Sequence, residues 1–415
     1  MKDYSNIVSY LKLRGSVGKT GSQNLGAYDW RTLMGSATYN GAAGIVPSSL
    51  GNDILQWEEQ IQKEVGLDYG FWDDRIRGTL GYYQKKVDNL LYSDPVPTSS
   101  SFSSVYQNIG SLKNRGIEFD VRVDIIKNAP KDLTWNVDFN IARNRTTLEK
   151  LNSSDGYFGG GAYDYFKIEE GGETGRFYGY KDAGRLFMTN EELVGLKTID
   201  PKTGTLKYYR DDYNYERQGD VYIMDLDGDG QITADGDRTV IGNANPDFFG
   251  GFGSTLYWKG LMLNAVFSYS VGGDRFWDEE KNSSGDMNVY NTSNRILDSW
   301  TVNPGVNASY PRAMYYGWGS NSIITDRYIH DASYLRMTAL NLSYRLPKHL
   351  YKNSILNAVE FTFQATNLFT WTKYPGMDPQ GNFSTTYSAF YNMGIDYSTY
   401  PSARTYNFGI KLTLK

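Results

Sequence analysis

The sequence predicts an all-β chain: an antiparallel up-and-down transmembrane β-barrel, here a partial barrel of about 10–12 strands with long extracellular loops. Three observations across its 415 residues lead there. Hydrophobicity alternates with period 2 along segment after segment. The links between segments are short and long by turns. Aromatic residues gather near the segment ends.

Taken in order, strands are expected near 7–18, 57–71, 75–90, 106–126, 133–143, 248–258, 261–271, 332–346, 357–371 and 402–414. Residues 116–125 show the pattern most plainly. Ile117, Phe119, Val121, Val123 and Ile125 point one way; Glu118, Asp120, Arg122 and Asp124 point the other. Successive strand residues face opposite sides of a sheet, so the segment has one apolar and one polar face. Leu133, Trp135, Val137, Phe139 and Ile141 repeat this against Thr134, Asn136, Asp138 and Asn140. In the last segment Tyr406, Phe408, Ile410, Leu412 and Leu414 alternate with Thr405, Asn407, Gly409, Lys411 and Thr413. That segment looks like the terminal strand that barrel-assembly machinery recognises, which would pair with a first strand to close the barrel. It departs from that pattern in ending on Leu414 and Lys415 instead of an aromatic residue.

Two-faced strands serve a water-soluble sandwich as well as a barrel with lipid outside and a wet lumen. Loop lengths separate the two. The links at 72–74, 127–132, 259–260 and 347–356 are short, and the intervening ones are long, the longest covering 144–247. Alternate links of an up-and-down sheet fall at opposite ends. All short turns therefore lie at one end and all long loops at the other, as in outer-membrane barrels. A sandwich has no reason to sort its loops this way.

Composition agrees. Aromatics reach 15%, with 35 Tyr and 9 Trp. Trp57, Phe71, Trp72, Tyr82, Tyr83, Tyr257, Trp258, Trp371 and Tyr374 sit near strand ends, where interfacial girdles need side chains with an apolar body and a polar tip. No segment has the run of roughly 18 apolar residues a spanning helix requires. The 42 basic and 47 acidic residues leave a net charge of −5 with no basic run, so no nucleic-acid partner is expected. Cysteine is absent, and the only histidines, His330 and His349, are too far apart in sequence to suggest a triad or metal set. Met1 leads almost directly into a strand without an export signal, so the chain reads as the C-terminal part of a larger exported protein.

The sharpest chemical motif is Asp225-Leu226-Asp227-Gly228-Asp229-Gly230-Gln231. Oxygen ligands at loop positions 1, 3 and 5, glycine at 6 and a backbone carbonyl at 7 suit a hard cation, so a structural Ca2+ is expected. The proposed ligands are Asp225, Asp227, Asp229, Gln231 and Asp237, within the loop 225–237. Position 12, where a bidentate Glu is usual, is Gly236; Asp235 and Asp237 flank it. The competing reading is an Asp/Gly turn of good turn formers.

Other signals are weaker. Gly18-Lys19-Thr20 lacks the upstream glycine of a phosphate loop, since position 13 is Leu13. Glu58-Glu59, Glu169-Glu170 and Glu279-Glu280 read as solvated carboxylates. Residues 292–300 read as a short helix whose Trp300 packs. Tyr157, Phe158, Tyr163, Tyr165, Tyr315, Tyr316 and Trp318 could stack on sugars or pack the loops together. A soluble calcium-dependent carbohydrate-binding β-protein and a secreted glycoside hydrolase, which needs a spaced carboxylate pair, are the rival classes. No catalytic residues are assigned.

Several blocks carry a family resemblance in register: residues 13–23, 56–76, 108–121, 175–184, 225–248, 309–313, 331–347 and 365–379. Together they resemble the SusC/RagA family of TonB-dependent outer-membrane transporters of Bacteroidetes-type bacteria. The resemblance covers nearly the whole chain, 1–415, as the later barrel portion, with plug, TonB box and early strands expected outside it. It implies import of glycans or peptides with a SusD-like surface lipoprotein as lid and TonB as the energy-coupling partner. It also implies an outer-membrane location and no covalent chemistry.

Overall fold

The computed structural model describes every residue except 1–6, 23–25, 130–131, 153–156, 160–164, 190–196, 200–205, 209–217, 230–231, 287–290, 306, 314–320, 322, 353–354, 382–392 and 415. Ten strands form one antiparallel sheet, each beside its neighbour in sequence. They are β1 (Val8–Ser22), β2 (Glu58–Phe71), β3 (Ile76–Asp88), β4 (Gly110–Ala129), β5 (Leu133–Leu151), β6 (Phe248–Trp258), β7 (Leu261–Val271), β8 (Tyr334–Arg345), β9 (Leu356–Thr372) and β10 (Thr405–Leu414). Every expected strand is present. The expected sorting of loops holds too, with links 72–75, 130–132, 259–260 and 346–355 at one end and the long ones at the other.

Two boundaries differ from the sequence reading. Residues 106–108, expected as the start of β4, belong instead to Ser104–Asn108, which pairs with Leu91–Pro95 as a separate outer hairpin. β5 runs on to Leu151 because its pairing with β4 continues up to Gly110, so the great loop begins after 151 and not at 144. β1 and β10 each have one neighbour in this sheet. Among the described residues, the expected pairing of the last strand with a first strand is therefore not made.

The short turns follow from local sterics. Lys259 and Gly260, at φ 47° and 85°, make a two-residue hairpin turn whose twist matches the strands it joins. Trp72, Asp73 and Asp74 are also left-handed, at φ 51°, 53° and 59°.

The two faces of the sheet differ in chemistry. One row crosses Leu13, Leu67, Leu80, Phe119 and Ile141 on five successive strands. A lower row crosses Phe139, Phe252 and Phe267, the last two stacked at 4.6 Å. Trp258 and Phe248 bracket the outward face of β6, ten residues apart. At the rise and tilt of barrel strands this is about 25 Å of membrane normal. The opposite face is a ladder of polar pairs. Arg14 bonds Asp68 at 3.0 Å and Arg77 bonds Asp124 at 3.1 Å. Asn264 joins Thr255 and Asn341 at 2.9 and 3.0 Å.

Glycine opposite tyrosine recurs on the outward face. Tyr69 of β2 lies over Gly78 of β3, and its hydroxyl donates to the Asp120 carbonyl of β4 at 3.1 Å. Tyr269 of β7 lies over Gly250 of β6 and donates to the Asn140 carbonyl of β5 at 2.9 Å. A phenol in hydrocarbon needs such a partner, and only a residue without Cβ lets the ring cross the intervening strand.

The long loops build their own interior above the wall. Tyr165, Phe166, Phe177, Ala244, Phe276, Ile324, Tyr328 and Ile395 form one buried cluster. Tyr180, Leu186, Phe187, Val221, Ile223 and Ile232 form another. The expected helix at 292–300 is a 3₁₀ turn, Asn294–Asp298, and Trp300 packs against the second cluster. Tyr374 is also inside the loops, at 5% exposure, not at an interface as its position near a strand end implied.

Candidate functional site

The acidic loop closes on itself through its own carboxylates. Asp225 Oδ1 accepts from the Gly228 amide at 2.7 Å, and Asp227 Oδ1 from the Asp229 amide at 3.2 Å. Asp237, fully buried, accepts from the Leu226 amide through one oxygen and the Thr233 amide through the other, at 2.7 and 2.6 Å. Ile232 anchors the loop in the second cluster. Asp225, Asp227 and Asp229 each present an oxygen within 4.8 Å of the others. Asp237 stands beside that trio and braces the loop, and Gln231 lies outside the described residues. A Cβ at 236 would press on the Asp227 carboxylate, so that side chain lies against the backbone of position 12.

Three converging carboxylates repel one another. The Asp229 amide favours the charged form of Asp227, yet partial desolvation with the Asp229 and Asp237 carboxylates holds its carboxyl above the ordinary range. A hard divalent cation would relieve that repulsion, and an all-oxygen donor set suits it.

A second constellation lies in the loops and unites residues far apart in sequence. Strands Asp274–Trp277, Ile329–Asp331 and Ile395–Asp396 form a small sheet. Phe276, Ile329 and Ile395 share one face, against the first buried cluster. Arg275, Trp277, His330 and Asp396 share the other. On that side Tyr374 donates to Asp396 at 2.8 Å. Glu280 meets His330 Nε2 and Arg295, the latter at 2.6 Å, and Arg295 lies 4.7 Å over the Trp277 ring. Burial and the Asp396 carboxylate push the Tyr374 phenol above its ordinary range, keeping it a donor. Nearby, Arg336 is pinned to Asp378 at 2.6 Å.

The other sequence candidates resolve as structure. Tyr165 is buried and donates to Asp278 at 2.9 Å, so it packs the loops. The side chains of Tyr157 and Phe158, with Tyr163, Tyr315, Tyr316 and Trp318, lie outside the described residues. Glu58 accepts from the Leu91 amide at 3.0 Å, Glu59 pairs with Lys19 at 2.8 Å and Glu169 with Lys167 at 2.8 Å. Sequence reasoning missed Arg275, Trp277 and Asp396, dismissed His330, placed Tyr374 at an interface and read Glu280 as solvated, whereas Glu280 is buried and paired. No spacing signals them, because four separate segments supply them.

Comparison with known proteins supplies the frame for both sites. The family described as TonB dependent receptor-like, beta-barrel, matches residues 5–368. TonB-dependent receptor P3 of Formosa agariphila is 32% identical over 434 residues, which cover 99% of this chain and 40% of that protein. TonB-dependent receptor SusC of Bacteroides thetaiotaomicron is 29% identical over 423 residues, covering 98% and 38%. Among solved structures, the RagAB peptide importer in its closed-closed state superimposes with a TM-score of 0.74 at 27% identity, covering 99% of this chain and 42% of that one. The chain thus spans well under half the length of the relatives it matches.

Proposed function

Because this chain belongs to the TonB-dependent receptor-like β-barrel family, an outer-membrane family of receptors and transporters and not of enzymes, we propose that it supplies the wall and outer loops of an energy-coupled importer. The cargo is a glycan or a peptide, a SusD-like surface lipoprotein covers the outer loops, and TonB drives transport through segments outside this chain. The observation that carries this is the inversion of the sheet: apolar rows face away from the polar ladder, and every long loop rises from the same end. A soluble carbohydrate-binding protein would turn those apolar rows inward, and a hydrolase would need a carboxylate pair across a cleft. Deleting the full-length gene is expected to abolish growth on one glycan or peptide source while sparing monomers. Unchanged growth on every polymeric source overturns the importer reading.

We propose in addition that the loop at 225–237 holds a structural Ca2+ through Asp225, Asp227 and Asp229, with the Gln231 carbonyl completing the shell and Asp237 bracing it. The converging carboxylates and the raised Asp227 support this. Calcium would tie the loop down and take no part in transport chemistry. Adding calcium is expected to raise the melting temperature of the full-length protein, and a variant with both Asp225→Asn and Asp229→Asn to lose that response. A double variant that keeps the full response defeats the assignment.

A further inference from the structure

The polar face of the small loop sheet has an uneven charge balance. Arg295 has Glu280, Lys281 has Asp278 at 3.7 Å, and Arg336 has Asp378. Among the described residues Arg275 has no such partner. Its Nη1 donates only to the backbone carbonyls of Asp274 and Ala244, at 3.1 and 3.4 Å, and its Nε is buried without an acceptor. Asp274 and Asp396 act on it through space, as do the phenols of Tyr374 and Tyr334, but neither carboxylate reaches it. Asp274 is already engaged by the Asn243 amide at 2.8 Å, and Asp396 by Tyr374 and the Thr399 amide.

A desolvated guanidinium without a counter-charge is costly, and burial pulls its proton affinity down. Folding alone would favour an aliphatic side chain here. Arg275 and its cross-strand neighbour His330 remain part-exposed as residues, while Trp277 and Tyr374 form a buried aromatic floor beside them. The ring centroids of Trp277, His330 and Tyr374 lie 5.9 to 6.4 Å apart. A cation with free donors beside aromatic surface matches a planar anion carried on a part-apolar molecule.

We propose that this face, with Arg275 at its centre, binds a carboxylate group of the cargo. The inference rests on the importer reading for the word cargo. Its test is direct binding in detergent, which needs neither TonB nor transport, so either reading can fail without the other. The full-length protein would be titrated with two carboxylate sources, a tetraglutamate peptide and a tetragalacturonate, each beside its uncharged counterpart, tetraglutamine and the galacturonate methyl ester. At least one acid is expected to bind more tightly than its neutral counterpart, and the acid that does so identifies the source of the carboxylate. Arg275→Gln is expected to weaken that acid by about ten- to a hundred-fold, the usual worth of a hydrogen bond to a charged group. Binding of the neutral counterpart is expected to stay unchanged. Arg275→Lys, which keeps the charge but not the fork, is expected to fall between, and it carries the test if Arg275→Gln does not fold. Acids that bind no better than their neutral counterparts, or acid binding unaffected by both variants, overturn the proposal.

Discussion

In the wall, Leu13 is 76% exposed and Phe408 81%; in the loops, Phe177, Val221 and Phe276 are buried completely. The same residue types obey opposite rules within one chain because the two regions have different solvents. Lipid tails are as apolar as leucine, so the wall gains nothing from turning such side chains inward and sends its polar ladder to the lumen instead. The loops stand in water and must build an ordinary dry interior. Stability in the wall therefore rests on backbone pairing and on polar groups satisfied within the sheet. In the loops it rests on packing, with a few buried charge pairs as pins.

The loop half of this contrast is the most sensitive to a single truncation. Phe276→Ala would leave a cavity in the first buried cluster at a cost of about 3–5 kcal/mol. It is expected to open the loops to protease while the sheet keeps its heat-modifiable migration on gels. Loss of both together would mean that loops and wall fold as one unit. On the wall, Phe267→Arg near mid-strand is expected to cost about 2–4 kcal/mol in reversible unfolding from bilayers, while Phe267→Leu changes little. A tolerated arginine there would place that row against water and break the comparison.

Gly250→Ala sharpens it at single-atom scale. A Cβ at 250 meets the Asn140 carbonyl that receives the Tyr269 hydroxyl, and such overpacking costs about 1–3 kcal/mol. Tyr269→Phe, which leaves a carbonyl short of a donor without a clash, is expected to cost less.

The smallest effect is a pH dependence in the loop pin. Burial pushes the Asp378 carboxyl up, but Arg336 and the Gln380 and Ser402 amides prevail and hold it below its ordinary value of 3.8. A depressed carboxylate stabilises fully above that ordinary value and loses its contribution as pH falls through the lowered one. Proteolysis of the loop 373–404 is expected to be flat from neutral pH down to about 4 and to rise below it. Asp378→Asn should remove the dependence, and a loop that loosens between pH 5 and 7 would point to a different titrating group.

Much of the wall was legible because its signal is local. Each strand announces its two faces by alternation that needs no partner to be seen, and the sorting of loop lengths carries topology. Where the reading slipped, the cause was non-local. Residues 106–108 alternate well enough for the wall but find Leu91–Pro95 first, and Asn144–Leu151 extend β5 only because β4 is long enough to receive them. The convergence of Asp225, Asp227 and Asp229 was legible for the same local reason as the strands, since all three lie within one turn, though the bracing role of Asp237 needed the fold.

Taken alone, the amino-acid order determined the strands, their outward rows and the end of the sheet from which the loops rise, because period-2 geometry and turn sterics act over a few residues. Which charges meet was set by the packed fold. Arg275, His330, Tyr374 and Asp396 come from segments separated by tens of residues, and nothing in their spacing tells that Glu280 reaches His330 while no carboxylate among the described residues reaches Arg275. Pairing of that kind depends on distances across a packed interior, which the chain acquires only when the loops close over the wall.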